Sequence, residues 1–121
     1  MQMKLEVASL PVSDVDRAKA FYVDQVGFVA DHDQRVSDAV RFVQLTPPGS
    51  ACSVVLGEGI VRMAPGTQEL MVVVDDADAA RAELAGRGVP VSEVDEQEWG
   101  RFVHFRDPDG NSWTLQQLPV R

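Results

Sequence analysis

The strongest constraint on this chain is that it repeats itself. Val12-Ser13-Asp14-Val15-Asp16-Arg17-Ala18-Lys19-Ala20 recurs in outline 62 positions later as Val74-Asp75-Asp76-Ala77-Asp78-Ala79-Ala80-Arg81-Ala82. In each copy an apolar stretch (Leu5 to Val12, Leu70 to Val74) runs into Ser or Asp residues able to cap a helix and suited to its positive end. Val15, Ala18 and Tyr22, and again Ala77, Ala80 and Leu84, then follow at i, i+3, i+7, the spacing of one buried helical stripe. Gly27 and Gly88 stand where each helix must stop. They lie 61 positions apart, so the repeat slips by one residue along the helix.

The later strands repeat more faintly. Arg41 to Leu45 followed by Thr46-Pro47-Pro48-Gly49-Ser50 matches Phe102 to Arg106 followed by Asp107-Pro108-Asp109-Gly110-Asn111, again at offset 61, and both read as strand, tight turn, strand. Three glycines and a proline between Gly57 and Gln68 mark a linker. The organisation expected is one α+β domain over residues 1–121, with a first module to about residue 57, a linker over about 58–68 and a second module over 69–121.

Size and charge narrow the function. At 121 residues and 45% hydrophobic content the chain builds one core and not two. A net charge of −8, with 11 scattered basic residues, argues against nucleic acid and anionic membranes, which require clustered Lys or Arg. The start of the chain lacks a signal peptide's pattern and no apolar run approaches a membrane span, so a soluble cytoplasmic protein is expected. The single cysteine, Cys52, excludes an intrachain disulfide and reads as a buried small hydrophobe.

Taken together, Val12-Ser13-Asp14, Arg17-Ala18-Lys19-Ala20-Phe21-Tyr22, Val26-Gly27-Phe28, Val74-Asp75-Asp76 through Gly88-Val89, and Phe105-Arg106-Asp107-Pro108-Asp109-Gly110-Asn111 resemble the vicinal-oxygen-chelate superfamily. This group is also called the glyoxalase/bleomycin-resistance/dioxygenase superfamily, and the likeness covers essentially the whole chain. It implies two tandem βαβββ modules forming a curved, mostly antiparallel sheet, with helices on the convex side and a ligand cleft on the concave side. Strand alternation then sets which residues face the cleft: Val7, Ser9 and Pro11 on the first strand, Glu69, Met71 and Val73 on its repeat, Thr114 and Gln116 on the last strand, with Ser53 and Val55 as their counterparts.

Metal-dependent members of the superfamily hold a divalent ion with one side chain from the first and one from the last strand of each module. Those positions map here to Val7, Ser53, Glu69 and Thr114, of which only Glu69 is a competent donor. No metal and no cofactor is therefore expected. His104, within a strand, either lines the cleft or is a satisfied core imidazole, while His32 in Asp31-His32-Asp33 reads as a solvated edge residue. Glu69 is either a cleft carboxylate, whose pKa an apolar cleft would raise, or an ordinary strand-start glutamate facing water. The run Glu93 to Glu98 reads as a solvated loop, and the following Trp99 could bring a ring to the cleft mouth.

The expected function is a metal-independent small-molecule binding protein of the bleomycin-resistance type, sequestering a drug or metabolite. The alternative is a metal-free lyase or isomerase related to glyoxalase I, with Glu69 or His104 as acid or base. A homodimer is expected in either case, because strand edges and apolar surface at module ends, such as Val61, Met63 and Val120, invite a second copy.

Overall fold

A computed structural model describes residues 1–120. In chain order it contains β1 (Val7–Ser9), α1 (Val15–Ala20) running straight into a π-helical segment (Phe21–Val26), β2 (Val29–Arg35), β3 (Arg41–Thr46) and β4 (Ser53–Glu58). The second half repeats the plan with β5 (Glu69–Val73), α2 (Ala77–Gly86), β6 (Asp95–Gln97), β7 (Gly100–Arg106) and β8 (Ser112–Gln117). Each half is a βαβββ module, and the α+β fold is the one expected.

The helix starts form as their sequences dictate. Asp14 and Asp76 adopt extended backbone angles, and each carboxylate accepts from the backbone N–H three residues on, at 3.0 Å in both cases. A guanidinium on the central strand then ties down the first turn of each helix: Arg41 to Asp16 at 2.8 Å and Arg101 to Asp78 at 2.7 Å. At the other end of the first helical run, Gly27 turns left-handed at φ 96° and its N–H reaches Tyr22 O at 2.8 Å, while Gly88 at φ 84° performs the same reversal after α2.

Two features depart from the sequence expectation. Hydrogen bonding divides the strands into two four-stranded sheets, β1-β4-β3-β2 and β5-β8-β7-β6, each with one parallel pair and two antiparallel ones, rather than one continuous sheet. The edge strands β1 and β5 are bridged by a side chain, the Gln68 amide donating to Ser9 O at 2.9 Å. Inside the acidic run expected to be a loop, Asp95–Gln97 pairs with β7; its three residues are all exposed, so it is a solvated edge strand with no apolar alternation to announce it.

The register also corrects the repeat. Ser53 stands beside Val7 and Ser112 beside Glu69, so the counterpart of Ser53 is Ser112 and that of Val55 is Thr114. The offset that starts at 62 in the helices falls to 60 at Leu45 and Phe105 and to 59 at Val54 and Trp113, because the second module has shorter connections. A fixed offset of 61 places β8 two residues out.

One core serves both halves. Leu10, Phe21, Tyr22, Phe28, Val43, Leu45, Val54 and Leu56 from the first module join Leu84, Val103, Phe105, Trp113 and Leu115 from the second. The rings of Tyr22 and Phe28 lie 5.8 and 5.4 Å from that of Trp113, so aromatic contact crosses the module boundary. Around them the Asp107 to Asn111 turn forms a polar clasp. Asp107, 5% exposed, accepts from Tyr22 OH at 2.7 Å, from the Asn111 amide at 2.7 Å and from the backbone N–H groups of Asp109 and Asn111 at 2.9 Å each. Asn111 also donates to Pro11 O at 2.8 Å, and Asp109 takes the Ser13 hydroxyl at 2.6 Å. Pro11 is consequently buried beneath the turn, not facing the cleft as alternation from Val7 and Ser9 predicts.

Candidate functional site

The faces of the two sheets turned away from the helices carry the residues that alternation selected. Reading across the register, one row runs Arg106, Ser112, Glu69 in the second module and Val7, Ser53, Thr46 in the first. The next runs His104, Thr114, Met71 and then Ser9, Val55, Gln44. Gln116 and Val73 continue the second-module face beyond it. Strand pairing thus brings Glu69, Met71, His104 and Thr114 onto one surface.

That surface is open. Met71 and Val73 are 59% and 61% exposed, Val7 is 40% exposed, and Ser9, Glu69 and His104 are exposed as well. Large apolar side chains left in water on a sheet face are the informative departure from an ordinary surface. Two adjoining hollows of about 540 and 320 Å³ lie on it, with Ser112 and Thr114 in the walls of both. Pro90, His104 and Arg106 line the larger; Glu69 and Met71 line the smaller. A basic and an acidic end therefore flank a hydroxyl-lined middle.

The polar groups are oriented by neighbours. His104 Nδ1 and the Thr114 hydroxyl share a hydrogen bond of 3.0 Å, and the His104 backbone N–H donates to the Ser92 hydroxyl at 2.9 Å. His104 therefore lines the open face and is not a core imidazole. Ser53 is buried and bonded to Thr46 at 2.6 Å, which itself donates to Asp31. Val55 and Gln116 are half-buried, and Gln116 donates to Trp99 O at 3.2 Å. Trp99, 61% exposed, stands at the turn between β6 and β7. Trp113 is 2% exposed and donates its Nε1–H to Tyr22 OH, so it belongs to the core. Cys52 is half-buried, and His32 lies on the exposed edge strand β2.

Sequence reasoning overlooked Arg106 and Ser112. Arg106 follows from the alternation that selects His104, two residues back on the same strand; Ser112 was hidden by the drifting repeat offset.

A family-type divalent ion would have to be held by this donor set. Val7 has no donor atom, Ser53 and Thr114 are neutral hydroxyls engaged with Thr46 and His104, and the register substitutes another neutral hydroxyl, Ser112, beside Glu69. Among the described residues no three His, Cys, Asp or Glu side chains gather into a group able to hold an ion. The residues do not fit a family-type divalent site, which needs about three protein donors.

A model of the Glyoxalase/Bleomycin resistance protein/Dioxygenase superfamily matches residues 4–115. The chain belongs to this superfamily. Among solved structures it is similar to TnmS3, an antibiotic binding protein from Streptomyces sp. CB03234, at 39% identity, covering 98% of both chains with a TM-score of 0.87. It is likewise similar to a glyoxalase/bleomycin resistance protein from the same organism, at 41% identity over 94% of this chain and 100% of the other, with a TM-score of 0.82. An uncharacterized protein of Bacillus subtilis, YetH, is 25% identical over 122 residues, covering 97% of this chain and all of the relative. Membership carries the fold. No helix among the described residues is long and apolar enough to cross a membrane.

Proposed function

We propose that this superfamily member is a metal-independent binding protein that sequesters a small organic molecule, such as a drug or metabolite, on the open face built by β5, β7 and β8. The observation that carries the reading is the pairing of exposed apolar side chains, Met71 and Val73, with a small set of polar groups, the Glu69 carboxylate and the oriented His104, Thr114 and Gln116. Such a surface offers apolar area and a few directional contacts, the composition of a ligand site rather than of a Lewis-acid centre. Likeness to an antibiotic binding protein over nearly the whole chain supports it.

A second copy completes the site in this reading. Val7, Met71, Val73 and Trp99 are too exposed to grip a ligand from one side, and twofold pairing is the commonest way to cover such a face. Of the module-end residues proposed for contact, Val120 and Met63 are exposed and Val61 is half-buried. A cytoplasmic location is supported by the lone cysteine alone. The alternative activity, metal-free proton transfer, rests on one feature: Thr114 fixes the His104 ring on the same face as Glu69.

The test is a titration of chelator-treated protein with a panel of bleomycin-type and polycyclic aromatic antibiotics, followed by Trp99 fluorescence. Saturable quenching that disappears in Trp99→Phe, with the compound recovered unchanged, supports sequestration. Recovery of a converted product points to the enzyme.

A further inference from the structure

The internal repeat exposes a second cavity, on the helix side of the second sheet and away from the open face. It measures about 390 Å³ and lies between α2, the end of β5 and the Pro47-Pro48 turn, with Phe105 and Trp113 at its base. Its origin is a set of unequal substitutions between the modules. Helix positions Phe21 and Tyr22 have Glu83 and Leu84 as counterparts, Phe28 has Val89, and Asp107 in the turn of the second module has Pro47 in the turn of the first.

In the first module two rings fill the space between helix and turn, and the Tyr22 phenol closes it by donating to Asp107 at 2.7 Å. In the second, Leu84 is shorter and Glu83 is exposed, pairing with Arg87 at 2.7 Å. The clasp has no counterpart there, and the room taken by the rings of Phe21 and Tyr22 is left over. The apolar walls of this hollow, Leu84, Phe105, Trp113 and Leu115 among them, therefore lack the packing partners that the first module supplies.

We propose that this cavity is a binding site for an uncharged aromatic molecule of two fused rings. Shape follows from the repeat, since the equivalent place holds aromatic rings. Size follows from volume: an apolar cavity of about 150 Å³ takes one benzene ring, and this one is more than twice as large. Neutrality follows from the rim, where Glu83 and Arg87 satisfy each other and Arg87 also donates to Val26 O at 3.3 Å, leaving no unpaired charge to recruit an ion. Exposed Val73, Pro48 and Glu83 mark where the cavity meets solvent. The site lies across the sheet from the open face: β5, β7 and β8 present Met71, His104 and Thr114 to one side and Val72, Phe105 and Leu115 to the other.

Methyl-labelled protein titrated with 2-naphthol decides the matter by NMR. Saturable ring-current shifts at the Leu84 and Leu115 methyls, with Met71 on the opposite face silent, are expected. Leu84→Phe and Ala80→Leu each fill the cavity from a different wall. Either variant that keeps the native spectrum must lose the response, and the charged analogue naphthalene-2-sulfonate must bind more weakly than 2-naphthol. Shifts confined to Met71, binding retained in a folded filled variant, equal binding of the sulfonate, or no saturable shift overturns the proposal.

Discussion

The phenol of Tyr22 in the first module donates to the carboxylate of Asp107 in the second at 2.7 Å, and the bond is buried. Burial, then the bond to Asp107, raises the Tyr22 pKa far above its ordinary value, so the hydroxyl stays protonated and remains the donor across the working pH range. Asp-Pro-Asp-Gly-Asn, the sharpest motif in the chain, thereby acquires a structural role. It clasps one module to the other through Tyr22, Ser13 and Pro11.

Tyr22→Phe removes one donor to Asp107 and the acceptor of the Trp113 Nε1–H while keeping the ring in place. A loss of about 1–3 kcal/mol in unfolding free energy is expected from urea titration, the cost of stranding buried polar partners. A change below about 0.5 kcal/mol would show that the clasp is not a source of stability.

Asp33 supplies a pH dependence. Hydrogen bonds from Arg41 and then Lys19 hold its carboxyl well below the usual carboxylate range. A depressed folded-state pKa means stability that is present above the unfolded value, about 3.9, and is lost as pH falls through the folded one. Asp33→Asn is therefore expected to cost up to about 1 kcal/mol at pH 7, as for ion pairs near the surface, with the gap to wild type closing steadily below pH of about 4. A pH-independent difference would assign the effect to something other than the charge.

Much of the fold was legible because capping and periodicity are local. Asp14 and Asp76, Gly27 and Gly88, and the apolar stripe of each helix all announce themselves in single stretches of chain. The strands β2 and β6 do not, since Val29–Arg35 and Asp95–Gln97 are exposed throughout and are held by backbone pairing and ion pairs such as Arg41 to Asp33 and Arg101 to Glu96, which leave no apolar alternation. The site was half legible for a related reason. Alternation gave the face of Glu69, Met71 and Thr114 and left His104 open between cleft and core, but register depends on the length of the preceding turn, and Ser112 was missed with it. The cavity beside Leu84 leaves no periodic pattern in the sequence and shows only when the modules are compared place by place, as missing volume where Phe21 and Tyr22 have Glu83 and Leu84 for counterparts.

Metal should be irrelevant to this chain. Incubation with Zn, Ni, Mn or Fe, followed by a chelator, is expected to leave the melting temperature unchanged, because a ligand bound only by the folded state must raise it. A reproducible metal-dependent rise would restore the chelate reading and with it the role of Glu69.

The paired state is expected in solution. Light scattering at micromolar concentration should give twice the 13.2 kDa chain mass. Met71→Lys, which puts a charge on the exposed apolar face, should shift it toward one chain. A single-chain mass that persists on concentration would require each open face to hold its ligand unaided.

Glu69→Gln keeps size and shape on the exposed start of β5 and removes only charge, so the variant should fold normally. Affinity for cationic members of the antibiotic panel should fall, while neutral members bind as before. Equal binding of both classes would remove Glu69 from the site.

The most direct measurement follows the Met71 methyl group by NMR as the antibiotic panel is titrated into chelator-treated protein. Met71 stands 59% exposed beside Thr114 on β8, so a bound molecule must perturb it. The account predicts saturable shifts at Met71 for at least one compound with no metal present. Shifts that arise only after a divalent metal is added, or a Met71 signal unmoved by every compound of the panel, would contradict it.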